Sequence, residues 1–347
     1  MKNVGIVTLY YKNYNYGGQL QAYALQRIIS NLGYNCEQIS FEWADKHHLQ
    51  GCETSKSAMY FTAFSESILH SKRVYTAADI EECIDDYDIF VCGSDQIWGL
   101  PQTIPSHILP SLALSFVPES KIKIAYAASL GGAEVALNLK NILSAHVNSL
   151  DFVSVREKSS IPFVATMTNG EVAHVLDPTI LLDKSEWDKI AVPPPEKAYI
   201  LIYVLNTRDN NGLLEYAEAL SQKSRYEIIS LISDGCPMVG PKEFVGYIKH
   251  AKYFITNSFH GAVFAILYHV PFLVFPSSVN PKDPQSRDAR MIALLDEFGF
   301  SSCFVYDTSS VTNIDDVIFH QVDETISAIR HNSIQFLKDA LSFKKKL

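Results

Sequence analysis

Short apolar runs alternate along the chain with longer stretches in which apolar residues recur every three or four positions, a strand period followed by a helix period. Gly5–Leu9 reads as a strand, and a Tyr- and Asn-rich loop follows, Tyr10-Tyr-Lys-Asn-Tyr-Asn-Tyr-Gly-Gly18. A helix is predicted from about Gln19 to Leu32, with Gly33 as the residue that ends it, and Cys36–Phe41 returns as a strand. Residues 42–85 are polar and irregular, with helices predicted over about 58–70 and 77–85. Further strands are predicted at Ile89–Cys92, Lys123–Ala128, Phe152–Val155 and Glu171–Leu176, with a helix from beyond Gly131-Gly132 to about Ser149. After the Pro-rich segment Val192-Pro-Pro-Pro195, read as a linker, the alternation resumes. Its strands are Tyr199–Leu205, Glu227–Ile232, Tyr253–Thr256, Phe272–Phe275 and Cys303–Tyr306. Its helices fall near 209–223, 241–250, 262–269 and 287–298, and a long helical pattern covers about 314 to 343.

Strands alternating with helices make parallel, doubly wound sheets. Six strands fall in the first set, so the expected fold class is α/β with two Rossmann-like doubly wound domains, residues 1–183 and 184–347. Facing each other across a cleft, two such domains resemble the glycosyltransferase-B architecture. The C-terminal helix could pack back on the first domain.

The stretch Ala251–Phe275 carries the sharpest chemistry. It reads as a strand, a tight polar loop over Asn257–Gly261, and an apolar helix. In an open α/β sheet the carboxyl end of a strand is the ligand edge. A helix start there offers backbone N–H groups and a positive dipole end, which suit an anion. His260 lies inside that loop and brings a titratable ring to the same place. The plainer reading is a loop histidine that hydrogen-bonds only to backbone.

Length and composition bound the answer. At 347 residues, with 47% hydrophobic and 19% charged, the chain has ample core for two domains. A formal net charge of −9 and the lack of a basic, aromatic-interleaved stripe set nucleic acid aside. The six cysteines, at 36, 52, 83, 92, 236 and 303, form no CxxC pair, which suggests reduced thiols in a cytoplasmic protein and no zinc site. The start of the chain reads as a strand and not as a signal peptide, and no apolar run is long enough to span a membrane. Lys344-Lys345-Lys346 offers at most a peripheral membrane contact and otherwise reads as a solvated tail.

Three further places carry candidate chemistry. The loop after the first strand, Tyr10–Gly18, is not GxGxxG, so the dinucleotide fingerprint is missing. Gly17 and Gly18 would still let a ligand approach the backbone, and the tyrosines and asparagines suit a sugar, whose ring faces stack and whose hydroxyls need donors and acceptors. Asp95, in Gly93-Ser-Asp-Gln96, either holds a substrate hydroxyl or caps a helix. Arg156 stands at the end of a parallel strand, where its fork suits phosphate or carboxylate, or pairs with a nearby acid such as Glu157 or Asp177.

Six motifs then occur in order: Asn15-Tyr-Gly-Gly-Gln-Leu-Gln-Ala-Tyr-Ala-Leu25, Gly93-Ser-Asp-Gln-Ile-Trp98, Ala125-Tyr-Ala-Ala-Ser129, Val153-Ser-Val-Arg-Glu157, Leu176-Asp-Pro-Thr179 and Asn257-Ser-Phe-His-Gly261. Together they resemble the polysaccharide pyruvyl transferase family over roughly residues 4 to 300. The resemblance implies transfer of the enolpyruvyl unit of phosphoenolpyruvate to a sugar diol of a surface polysaccharide or its precursor. The products would be a cyclic pyruvate ketal and phosphate. It implies His260 as the catalytic histidine and Arg156 as a donor-anion ligand, with Ser258 and Gly261 at the same helix start. Some members carry Arg-Leu-His-Gly where this chain has Ser258-Phe-His-Gly261, so a second cation must come from elsewhere. Arg287 and Arg290 are candidates, with a helix-surface role as the alternative. Asp95 is the carboxylate expected to orient or deprotonate the acceptor hydroxyl. Asn15, Tyr16, Gly17, Gly18, Gln19 and Gln96 are the expected acceptor contacts. No metal and no cofactor is expected, phosphoenolpyruvate being the donor substrate and a sugar, free or lipid-linked, the acceptor. The competing readings are a nucleotide-sugar glycosyltransferase on the same architecture and a non-catalytic sugar- or anion-binding protein.

Overall fold

The computed structural model describes residues 2–43, 57–99, 105–131, 137–195, 198–205, 212–231, 238–278, 281–283, 286, 288–306 and 311–345. Cys52, Gly132, Cys236, Arg287 and Lys346 therefore lie outside the described residues. The chain divides into two compact units, Met1–Leu182 with Ser327–Leu347, and Asp183–Ile326.

The first unit is built on a seven-stranded parallel sheet: β1 (Asn3–Val7), β2 (Asn35–Phe41), β3 (His70–Tyr75), β4 (Ile89–Cys92), β5 (Ile122–Ala128), β6 (Phe152–Val155) and β7 (Val172–His174). Its order is β3-β2-β1-β4-β5-β6-β7, so the winding reverses between β1 and β4. Helices α1 (Tyr16–Asn31), α2 (Ala58–Ser67) and α3 (Leu137–Val147) lie in the connections. Both faces of the sheet are covered, which is why β4 and β5 are buried at every residue and, Lys123 apart, read as apolar runs. Trp98, Phe90, Leu112 and Val155 are fully buried in the core below this sheet.

The expected six strands are seven because β3 fills the stretch between the helices predicted over 58–70 and 77–85, the first of which ends at Ser67. His70-Ser-Lys-Arg-Val-Tyr75 is an edge strand, buried only at Ser71 and Tyr75, so it lacks the apolar run by which a covered strand is read. The helix predicted over 77–85 is a 3₁₀ segment, Ile80–Asp86.

The second unit carries a four-stranded parallel sheet, β8 (Tyr199–Tyr203), β9 (Glu227–Ser230), β10 (Tyr253–Thr256) and β11 (Phe272–Val274), in the order β11-β10-β8-β9. Its switch point falls between β8 and β10. Helices α4 (Leu213–Ser224), α5 (Pro241–His250), α6 (Phe259–Tyr268) and α7 (Ala289–Phe298) complete it. Trp187 meets Phe264 of α6 edge-on at 5.0 Å, and Phe244 of α5 meets the same ring at 6.5 Å. The strand expected at Cys303–Tyr306 is reduced to a single bridge, Val274 to Phe304. Val192-Pro-Pro-Pro195 lies within this unit: the Val192 N–H donates to the Lys242 carbonyl at 3.2 Å, and the segment packs on Gly246 of α5.

The long C-terminal pattern begins as a 3₁₀ turn, Ile314–Asp316, and becomes helical only in α8 (Val322–Ser342). Residues 327–347 belong to the first unit. There Phe336 packs on Tyr126 and Phe152, the Leu176 N–H donates to Ser333 Oγ at 3.0 Å, and Arg330 donates to the Ile180 carbonyl at 3.0 Å.

Candidate functional site

In the first unit the loops after β1 and β4 meet at the switch point, where an open sheet leaves a crevice. A buried triangle ties them. Gln21 of α1 donates to Thr8 Oγ1 at 3.0 Å, Thr8 donates to the Ser94 carbonyl at 3.1 Å, and the Ser94 N–H donates to Gln21 Oε1 at 3.1 Å. Gly93 has φ +123, and a Cβ there would stand 2.1 Å from the Tyr126 carbonyl oxygen, so only glycine fits. Asp95 follows in the left-handed region, φ 66, which Asp tolerates better than most residues. No helix begins at Asp95, so the capping alternative for it falls away. Its carbonyl accepts from the Ile97 and Ser129 N–H groups, and this orients its carboxylate toward Arg156.

Arg156 is among the best-paired side chains in the unit. Its Nε donates to Glu157 at 2.8 Å, one Nη to Asp177 at 2.9 Å and the other to Ser129 Oγ at 3.1 Å, while Asp95 stands 3.9 Å away. Burial alone would push the guanidinium pKa down. The charges of Glu157, Asp177 and Asp95 outweigh that and raise it above its ordinary value. With three acids around one base, the formal charge of the cluster is negative. The pairing alternative for Arg156 is therefore what the fold adopts, and a second anion placed here would meet repulsion. The least buried of the three acids is Asp95, with its side chain 14% exposed against 6% for Glu157 and 1% for Asp177.

The start of α1 is occupied by the chain itself. Asn15 is its N-cap, and its Oδ1 accepts from the Gly17 and Gly18 N–H groups at 2.9 and 3.3 Å. A Cβ on Gly18 would lie 2.2 Å from Asn13 Nδ2, so this glycine makes room for Asn13 where a ligand approach was expected. Tyr16 is buried against Phe61, ring centroids 4.9 Å apart. Gln19, also buried, donates to the Tyr10 and Asn13 carbonyls at 3.2 and 2.8 Å and thereby shapes the loop from within. Gln96 lies against Gly131, where a Cβ would meet its Oε1 at 2.5 Å.

In the second unit α6 starts three residues earlier than its apolar pattern suggests. Ser258 is the N-cap, accepting from the Gly261 N–H at 3.2 Å. His260 is therefore in the first helical turn and not in a loop. Gly261 obscures this in the sequence because glycine is a poor helix former. In the structure it lets α6 close onto the strand, with a Cβ there only 3.0 Å from the Phe254 ring. Asn257 is a clamp between strands: it accepts from the Leu205 N–H and donates to the Leu205 carbonyl at 2.9 Å. This holds the ends of β8 and β10 together at the switch point. His260 is buried, its ring edge-on to Phe259 at 5.3 Å, and the Arg290 guanidinium lies 5.6 Å above the other ring of that pair. Ser258, His260, Gly261 and Arg290 thus gather at one helix start.

Asp288 was not singled out in the sequence. It is buried, and its two oxygens accept from the N–H and hydroxyl groups of Ser277 and Ser278, fixing the loop after β11 to the start of α7. The Arg290 backbone is positioned by this anchor. The serine pair two residues past a strand is the only sequence cue. Among the described residues, no three His, Cys, Asp or Glu side chains are grouped to hold a metal ion, and no helix is long and apolar enough to cross a membrane.

The family model of the polysaccharide pyruvyl transferases matches residues 15–278, from the N-cap of α1 to the serine pair anchored by Asp288. The chain belongs to the polysaccharide pyruvyl transferase family. The span matched by the polysaccharide pyruvyl transferase model includes the histidine at the α6 start and the Asp95–Arg156 cluster. No curated protein matches the sequence. Among solved structures, a UDP-GlcNAc 2-epimerase from Neisseria meningitidis bound to UDP-GlcNAc is similar with a TM-score of 0.56 and 9% identity, covering 98% of this chain and 99% of that one. A putative UDP-N-acetylglucosamine 2-epimerase from Listeria monocytogenes is similar at 0.54 and 9%, covering 99% and 98%. These likenesses show the fold, two Rossmann-like units of the glycosyltransferase-B class.

Proposed function

We propose that this pyruvyl transferase family member moves the enolpyruvyl unit of phosphoenolpyruvate onto a sugar diol of a surface polysaccharide or its precursor, forming a cyclic pyruvate ketal and releasing phosphate. The observation that carries the reading is His260, buried in the first turn of α6 behind the Ser258 cap, with Arg290 over the adjoining Phe259 ring. A proton-transfer group, a helix start and a guanidinium gathered at one strand end suit an anionic donor whose carbon must be protonated.

The chemistry requires a proton at C3 of the donor as a sugar hydroxyl adds to C2. A second hydroxyl of the same sugar then adds to C2 as the C2–O bond to phosphate breaks. His260 serves the proton transfers of the donor. Arg290 and the helix start offset its negative charge. Asp95, the least buried acid of the Arg156 cluster, accepts the proton of an acceptor hydroxyl. Arg156 acts through Asp95 as a positioning residue: its own hydrogen bonds are taken by Glu157, Asp177 and Ser129. This revises the donor-ligand role that the family resemblance suggested for Arg156.

Phosphate release from phosphoenolpyruvate, followed over a panel of acceptor sugars, tests the proposal. Acceptor-dependent release that drops about 10²–10⁴-fold in His260→Ala, with the fold intact by circular dichroism, is the expected result. Calorimetry that shows binding of UDP but none of phosphoenolpyruvate would move the assignment to a nucleotide-sugar transferase.

A further inference from the structure

Ser129 follows β5 and is fully buried. Its N–H donates to the Asp95 carbonyl at 3.0 Å, and its own carbonyl accepts from the Trp98 N–H at 3.2 Å. Its Oγ donates to Glu157 at 2.8 Å and accepts from an Arg156 Nη and from the Gly131 N–H, both at 3.1 Å. One residue thus holds both the backbone of Asp95 and the guanidinium that faces the Asp95 carboxylate. The strand before it is bent. Between the pairs Ala125–Val153 and Ala128–Val155, β5 has two residues and β6 has one. The extra residue makes a bulge, and the side chains after it stand on the face opposite to the one a regular strand would give them. Ala127 sits there in the left-handed region, φ 51, which alanine adopts only under strain. Two buried hydroxyls hold it. Ser154 Oγ accepts from the Ala127 N–H at 3.1 Å and donates to the Ala125 carbonyl at 2.9 Å, and Ser94 Oγ donates to the Ala127 carbonyl at 3.0 Å. A strained residue persists where its surroundings over-determine it, and such places gather at working sites.

These contacts decide what Arg156 offers to Asp95. Glu157 takes the Nε, Asp177 one Nη and Ser129 Oγ the other. Asp95 stands 3.9 Å from the guanidinium, so it feels the positive charge at a distance too long for a hydrogen bond. We infer that Ser129, aimed by the bulge at Ala127, is a positioning residue for Asp95. It fixes the Asp95 backbone and keeps the Arg156 fork from closing on the carboxylate, which leaves the carboxylate oxygens for an acceptor hydroxyl. The inference rests on the acceptor role given above to Asp95.

The test is a double-mutant cycle on the full chain, read as phosphate release from phosphoenolpyruvate with the acceptor sugar that gives the fastest wild-type release. Ser129→Ala is expected to lower kcat by about 10- to 100-fold, the cost of a misplaced base, and to change the KM for phosphoenolpyruvate by less than about threefold. In an Asp95→Asn background the same substitution should cost less than about threefold, because Ser129 then has no base left to place. A kcat in Ser129→Ala within about threefold of wild type overturns the inference, and so does a further loss of about tenfold or more in the Asp95→Asn background, which would mark an effect independent of Asp95. If Ser129→Ala fails to fold, Ser154→Ala, which frees the bulge, is read against the same limits. Wild-type turnover in Asp95→Asn would sink the acceptor role of Asp95 and this inference together. An impaired Asp95→Asn beside an unimpaired Ser129→Ala would sink this inference alone. No acceptor-dependent release by the wild type would remove the transferase reading and this inference with it.

Discussion

Arg156 shows how one side chain can be read in two ways from sequence and in one way from its neighbours. A guanidinium at a strand end suits an anionic substrate in general. Here it closes a buried cluster, and removing it would leave Glu157 and Asp177 as uncompensated buried charges. Arg156→Met is therefore expected to destabilise the protein by about 3–5 kcal/mol, read as a lower midpoint in urea unfolding. A variant as stable as the wild type would show that the cluster contributes little. Asp95→Asn is expected to behave differently, because that side chain is the most exposed of the three acids and stands 3.9 Å from the guanidinium. Its cost in stability should stay below about 1 kcal/mol, and its turnover should fall by about 10²-fold or more. Equal turnover in Asp95→Asn and wild type would remove Asp95 from the reaction.

Elements are placed by close backbone contacts as much as by side chains. Helix α5 touches the Val192 backbone so closely that a Cβ on Gly246 would fall 1.8 Å from the Val192 carbonyl oxygen. Backbone cannot swing away as a long side chain can. Gly246→Ala is expected to cost about 1–3 kcal/mol despite the better helix propensity of alanine, and a thermal melt checks it. A melting temperature raised by the substitution would mean that the proline-rich segment yields freely. The same logic explains how far the helix and strand boundaries could be read. α6 was visible as an apolar helix, but its true start was hidden by Gly261, whose place is set by contact with Phe254. β3 was missed because an edge strand with a wet face needs few apolar residues, and its identity lies in hydrogen bonds to β2.

Burial in the whole molecule sets its pH response. Burial pushes the Tyr10 hydroxyl up to about 12, against hydrogen bonds from Ser40 and Ser65 that pull the other way. It pushes the thiols of Cys83 and Cys303 up to about 12 as well. In the unfolded chain these groups lose protons near pH 8.5 for Cys and 10 for Tyr. Between those values and 12 the folded state binds more protons than the unfolded state, so stability falls as pH rises. The stabilisation from keeping these groups neutral is fully present near pH 7. The melting temperature is expected to decline from about pH 9 and steepen above pH 10, and Tyr10→Phe should flatten the curve between pH 10 and 12. A melting temperature constant to pH 11 would contradict the burial of these groups.

The α/β class, the covered strands with their helices and the six motif segments were settled by the sequence alone, because covered parallel strands and their helices write local, periodic patterns of apolar residues. His260 and Asp95 were singled out for the same local reason, each standing just past a strand. Only the tertiary structure decided what those segments do to one another. Arg156 meets three acids drawn from the segments after β4, β6 and β7. Gly18 gives way to Asn13, and Asp288 reaches back to Ser277 and Ser278. Residues 327–347 join the first unit through Phe336, Ser333 and Arg330. Such pairings cannot be read from periodicity: a side chain's charge and shape say what it can bind, and the fold determines which partner reaches it first.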